Sequence, residues 1–222
     1  MTILDDLKLE HDLVGRGLMK LISFWLKLEK NTDVALLNEL QDFFKAYTDF
    51  VGGLHHEKEE LFLFPALGEC ADLREGGPKC VFFMSFYVAN NPLDSAKKRI
   101  AEYNLKTESI THRENIEKLI AMNSPLSILI SEHDAGHLLT AAISEMFTKC
   151  KQDFEANKWA LIFLLSDYMT LIELHQRKED ECLFLVCEKL LPQAKLMELG
   201  TEALELNKKF PGVKERLAEL LK

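Results

Sequence analysis

Two pairs of similar words, spaced alike in the two halves of the chain, constrain its fold more than any other feature of the sequence. LKLEHD at 7–12 resembles LISEHD at 129–134, and HHEKEELFLF at 55–64 resembles HQRKEDECLF at 175–184. In the longer pair His, Lys, Glu, Leu and Phe recur in register. We therefore expect each half of the chain to build a similar structural unit.

Helical periodicity runs through most of the 222 residues, and no stretch alternates polar with β-branched residues as a strand would. The predicted class is all-α. Turn residues at 31–33, the break at Gly76, Gly77 and Pro78, and Pro192 divide the helical stretches. The expected helices are A at about 4–29, B at about 34–68, C from near Ser124, with Pro125 at its first position, to about 150, and D at about 156–190.

The histidine spacing in each half fits a helix hairpin. His11 and His55 are 44 positions apart, His133 and His175 are 42 apart, and the midpoint of each pair falls near a predicted helix junction. Residues equidistant from the turn of an antiparallel hairpin lie at the same level. We therefore expect His11 beside His55 and His133 beside His175.

These signals together predict an antiparallel up-down-up-down four-helix bundle over residues 1–192. A helical insert is expected between helices B and C at about 72–123, interrupted near Asn90 and Pro92. Residues 193–222 are expected to form a short helical extension packed on the bundle.

Charge and composition narrow the functional class. The net charge of -9 argues against partners that are bound through excess Lys and Arg, namely nucleic acid and anionic membrane surfaces. The longest apolar runs, such as 159–165, are much shorter than the roughly 20 residues that span a bilayer, and the first residues do not resemble a secretory signal. We expect a cytoplasmic protein. The five cysteines lack the spacing of a zinc site. A homodimer is one possible assembly of the chain.

Three pairs of potential metal ligands have i, i+4 spacing, which places both members on one helix face. Carboxylates and imidazoles buried without partners would cost several kcal/mol, and bound cations remove that cost. The pairs are His55 with Glu59, His133 with His137, and His175 with Glu179.

With His11, these residues amount to five imidazoles and two carboxylates. Seven protein ligands are too many for one ion that must also keep an open position, so the set predicts two metal ions. Imidazoles that cap each ion and carboxylates that bridge them suit two non-haem iron ions, whereas zinc would be better served by fewer ligands.

The ordered set resembles the hemerythrin and HHE cation-binding family. The family pattern is one His on the first helix, HxxxE on the second, HxxxH on the third, and His with a following acid on the fourth. The words HHEKEELFLFP and SPLSILISEHDAGH are also similar to family motifs, and the resemblance covers most of 1–190 outside the insert. It implies a di-iron site that binds dioxygen or a related small ligand at an open iron position.

The register of the ligands has alternatives. His56 with Glu60 also satisfies HxxxE, and Asp180 lies five residues after His175, where a hemerythrin Asp would be. The internal repeat favours the first set, because it aligns those residues with one another. The insert adds His112 as a further alternative.

Gly52 and Gly53 each weaken a helix by about 1 kcal/mol relative to Ala. They are explained either by space for a ligand above the metals or by a kink or close helix packing.

Three functions remain open. The His-rich set favours a carrier, store or sensor of dioxygen. The second is a redox or iron-handling protein that reduces nitric oxide or peroxide or repairs iron centres. The third is a signalling module that reports iron or oxygen to the tail helices.

Overall fold

The computed structural model describes residues 1–30, 34–70, 91–105 and 125–222. These residues form helices and turns without any strand, which confirms the all-α class. The turn at 31–33, the break at 76–78, Ser124 and His112 lie outside the described residues, as does most of the predicted insert.

The four long helical stretches begin and end close to the predicted positions. Stretches B and D are continuous, but three π-helical turns interrupt their α-helical pattern. The helices are α1 (Ile3–Lys30), α2 (Val34–Phe50), α3 (His56–Lys58), α4 (Phe64–Gly68), α5 (Pro92–Glu102), α6 (Pro125–Gln152), α7 (Phe154–Lys178), α8 (Phe184–Leu190), α9 (Gln193–Asn207) and α10 (Val213–Leu220). The π turns are π1 (Val51–His55), π2 (Glu59–Leu63) and π3 (Glu179–Leu183).

Capping residues explain two of the helix starts. The Asn91 side chain accepts hydrogen bonds from the backbone N–H groups of Leu93 and Asp94, and Pro92 occupies the first position of α5. The Asp153 carboxylate accepts a hydrogen bond from the N–H of Ala156, which separates α7 from the end of α6.

The apolar core consists of two clusters with a polar layer between them. One cluster contains Phe44, Tyr47 and Tyr168. The other contains Phe64 and Phe184 and joins the beginning of α1 to α4, the beginning of α6, α8 and α9. The histidines and acids of the repeated words lie between the clusters along the chain, where they are buried. A buried polar layer of this kind has to satisfy its charges internally.

The two C-terminal helices lie against the first two. Helix α9 packs on α1 so closely that a Cβ added at Gly200 would lie 2.5 Å from the carbonyl oxygen of Met1. Helix α10 packs on α2, and Lys214 reaches Glu10 at 3.5 Å. Across the described ranges, none of the helices has the length and apolar character needed to cross a membrane.

Candidate metal centre

Two groups of buried potential ligands share one glutamate. Within each group the ligand atoms lie within 4.8 Å of one another. Two of the π turns begin at the central glutamates, Glu59 and Glu179, and the third ends at His55. Such turns often occur at functional sites, where they re-aim side chains. The first group is His11, His55, Glu59 and Glu179, and the second is His56, Glu59, His133 and His175.

Each central glutamate lies between one histidine of each half. Glu59 places its two oxygens 3.6 Å from His55 Nε2 and 3.3 Å from His133 Nε2. Glu179 places its oxygens 3.3 Å from His11 Nε2 and 3.4 Å from His175 Nε2. Each carboxylate therefore presents one oxygen to a histidine of the first half and one to a histidine of the second half.

The central carboxylates are not satisfied by protein donors. Both side chains are fully buried, and none of their four oxygens has a hydrogen-bond partner among the described residues. Native proteins rarely leave such groups without a partner unless an ion or water supplies one. The four oxygens therefore fit metal ligands.

The Nδ1 atoms of the same four histidines face outward onto other carboxylates. Nδ1–H of His11 donates to Asp180 at 2.8 Å and that of His55 to Glu10 at 3.1 Å. Nδ1–H of His133 donates to Glu60 at 2.6 Å, and that of His175 to Glu132 at 3.1 Å. When a metal binds, a proton on Nδ1 would leave the Nε2 lone pair of each ring for the ion, and the outer carboxylate would make the imidazole a stronger donor.

A buried lysine completes the arrangement in each half. Lys58 Nζ donates to Asp6 at 2.6 Å and to Glu10. Lys178 Nζ donates to Glu132 in the other half. These lysines compensate the outer glutamates, which in turn hold the imidazoles of His55 and His175.

The charge balance of the interior favours bound cations. Among the described residues, six carboxyl groups and two lysines are buried, which leaves four negative charges in excess when the histidines are neutral. Two divalent ions would balance that excess. An uncompensated buried charge costs several kcal/mol, so the interior is suited to metal ions.

The protonation of the metal-free centre reflects the same excess. Burial and the neighbouring charge of Glu179 raise the pKa of Glu59 well above its usual range. Burial opposes the charging of His11, but Asp180 and Glu179 raise its pKa to about 9. Burial likewise disfavours ionised Glu10, yet His55 and Lys58 lower its pKa to about 2. In the metal-free protein, Glu59 and His11 therefore keep protons that bound cations would displace.

Six of the seven residues expected as ligands come together in the two groups. His137 does not, because it is exposed and lies beside Gly52, where an added Cβ would be 3.3 Å from its Cε1. The alternative residues Glu60 and Asp180 contact Nδ1 atoms of the histidines. His56 lies inside the second group, with its ring stacked on His133 at 3.8 Å between centroids.

Four residues that support the site were not predicted from the sequence: two glutamates that accept hydrogen bonds from the histidines, and two lysines that pair with those glutamates. Glu10 and Glu132 immediately precede the histidines in LKLEHD and LISEHD, and Lys58 and Lys178 immediately precede the central glutamates. All four recur in the internal repeat. The repeat could therefore have identified them as part of the site.

Replacing His137 with alanine should leave the metal content unchanged, because the exposed ring contributes to neither group. His133→Ala should lose metal, since its Nε2 faces Glu59. Elemental analysis of both purified variants tests this prediction. Equal metal loss in both would place His137 among the ligands.

Comparison of the chain with protein-family models, curated proteins and solved structures finds no match.

Proposed function

We propose that the chain is a hemerythrin-like protein, an up-down-up-down four-helix bundle whose buried centre holds two non-haem iron ions. It binds dioxygen or a related small ligand for storage, transport or sensing. One ion is held by His11 and His55 and the other by His133 and His175, with Glu59 and Glu179 shared between them. When bound, the metal pair supplies open coordination positions for the ligand and the capacity to change oxidation state.

The placement of Glu59 and Glu179 carries this proposal. Each carboxylate directs one oxygen towards a histidine from each half of the chain, and all four oxygens lack a hydrogen-bond partner among the described residues. A single ion would leave half of these contacts unused. Two ions use both oxygens of both carboxylates.

The donor set is compatible with iron. Imidazole and carboxylate together suit divalent and trivalent first-row metals, and thiolate, the donor typical of structural zinc sites, belongs to neither group. In the first group two imidazoles and two carboxylate oxygens would occupy four positions, and in the second group His56 would add a third imidazole. Six-coordinate iron would still keep room for an exogenous ligand in either group. A four-coordinate zinc ion would be saturated.

Metal analysis and visible spectroscopy of the purified protein test the proposal. About two irons per chain are expected from the two groups. An absorption band that forms when the anaerobically reduced protein meets air, and disappears when oxygen is removed, would identify an oxygen-binding protein. A chain that binds only zinc, or no metal, would contradict the di-iron centre.

A redox or iron-handling function is the second candidate, and the outer carboxylates favour it. The four histidines whose Nε2 atoms face the central glutamates each donate from Nδ1 to an acidic side chain. The acceptors are Glu10, Glu60, Glu132 and Asp180. Imidazoles made more basic in this way stabilise the ferric state, which favours electron transfer to a substrate over reversible binding. Two irons that oxidise without a reversible oxygen adduct, together with turnover of nitric oxide or peroxide under a reductant, would support this candidate.

A further inference from the structure

A cavity of about 230 Å³ has one member of the second ligand group, His56, in its wall. It lies between π1 and α6, where Gly52, Gly53, Gly136 and His137 form part of its wall. Pockets for drug-sized ligands have volumes of roughly 300–1,000 Å³, so this one suits a smaller molecule. His137 is exposed, whereas His56, which also lines the cavity, is buried.

His56 links the cavity to the candidate metal centre. Its ring stacks on His133, and one of its ring nitrogens lies within 4.8 Å of a ligand atom of Glu59 and of one of His175. The internal repeat aligns His56 with Gln176 in the other half, so the two halves differ at this position. On the side of the first group, His11 instead stacks on Phe184 and His55 on Phe50.

The glycines define how much room the cavity has. A Cβ at Gly52 would lie 3.3 Å from His137 Cε1 and 3.6 Å from its Nδ1, which is tight contact. A Cβ at Gly53 would meet no atom within 4 Å. The gap between Gly52 and the His137 ring therefore exists because position 52 has no side chain.

We propose that this cavity is the passage by which small ligands reach the ion held by His133 and His175, and that Gly52 and His137 set its width. Molecules of the size of dioxygen, nitric oxide or azide pass, and larger substrates are excluded. The inference rests on the proposed di-iron centre and adds the route, the receiving ion and the size limit.

The test uses azide binding to the oxidised iron-loaded protein, followed by stopped-flow absorption. Gly52→Ala narrows the passage, so the association and dissociation rates should both fall several-fold. His137→Ala widens it, so both rates should rise. Because a passage changes the barrier in both directions alike, Kd should stay unchanged in each variant.

Gly15→Ala is the matched control, because it makes the same change on α1 with no atom within 4 Å of the added Cβ. Its rates should equal those of the parent protein. Rates that are unchanged in both cavity variants would overturn the passage. A change in Kd that comes from the dissociation rate alone would also overturn it, because it would mean direct contact between the altered residue and the bound ligand. Iron content is measured for each protein. A parent protein without iron would contradict the proposed function itself. An iron-loaded protein whose azide-binding rates do not change in the cavity variants would contradict only the passage.

Discussion

Glu59→Gln should abolish binding of the metal pair and, in the same variant, make the metal-free protein more stable. Glu59 is fully buried, its oxygens have no hydrogen-bond partner among the described residues, and Glu179 is close enough to raise its pKa. In the metal-free protein Glu59 must take up a proton to relieve that repulsion, whereas a neutral amide relieves it without one and can donate a hydrogen bond to Glu179. We expect a stability gain of about 1–3 kcal/mol, the typical cost of an unsatisfied buried group.

Metal affinity should change in the opposite direction. Loss of even an outer partner weakens metal binding about 10–100-fold, and the loss of a shared ligand should exceed that. Elemental analysis and urea unfolding of the metal-free variant measure the two effects separately. Glu181→Gln is the control, because that exposed residue pairs with Arg177 at 3.2 Å and contacts neither group. A Glu59→Gln protein that keeps two irons would show that Glu59 is not shared between them.

The positions of the long helices could be predicted from the sequence because they depend on local signals. Apolar periodicity and turn residues gave stretch B as 34–68, and the helical stretch Val34–Gly68 has those ends. The histidine spacing also predicts the neighbours correctly, since the ring centroids of His11 and His55 lie 4.9 Å apart and those of His133 and His175 lie 4.7 Å apart. Helix geometry alone is sufficient for both predictions.

The site could be predicted only where α-helical geometry and pairwise spacing were sufficient. The two i, i+4 pairs that come together each end at a glutamate that begins a π turn, whereas His133 and His137 lie in α6, which has no π turn. The π turns were not predicted, because the expected helices were drawn from turn residues and overall helical periodicity, which do not distinguish a π turn from an α turn. The position of His56 beside His133 was likewise beyond single-helix reasoning, since it depends on how stretch B faces α6.

Lys58→Met should be among the most destabilising single substitutions in the chain. Lys58 is fully buried and pairs with both Asp6 and Glu10. Its loss leaves two buried carboxylates with much less compensation, because Lys214 lies 3.5 Å from Glu10 and is partly exposed. Breaking a buried pair on one side costs about 3–5 kcal/mol. Metal affinity should fall as well, because Glu10 orients His55.

Two further variants separate charge from packing as the cause of that loss. Lys45→Met removes an exposed lysine paired with Asp49 at 2.6 Å and should cost less than about 1 kcal/mol. The triple variant Asp6→Asn, Glu10→Gln, Lys58→Met removes the stranded charges and should be more stable than Lys58→Met alone. Urea unfolding of the metal-free proteins gives the three free energies. If the triple variant were as unstable as the single one, the packing of the lysine chain, and not its charge, would hold this layer together.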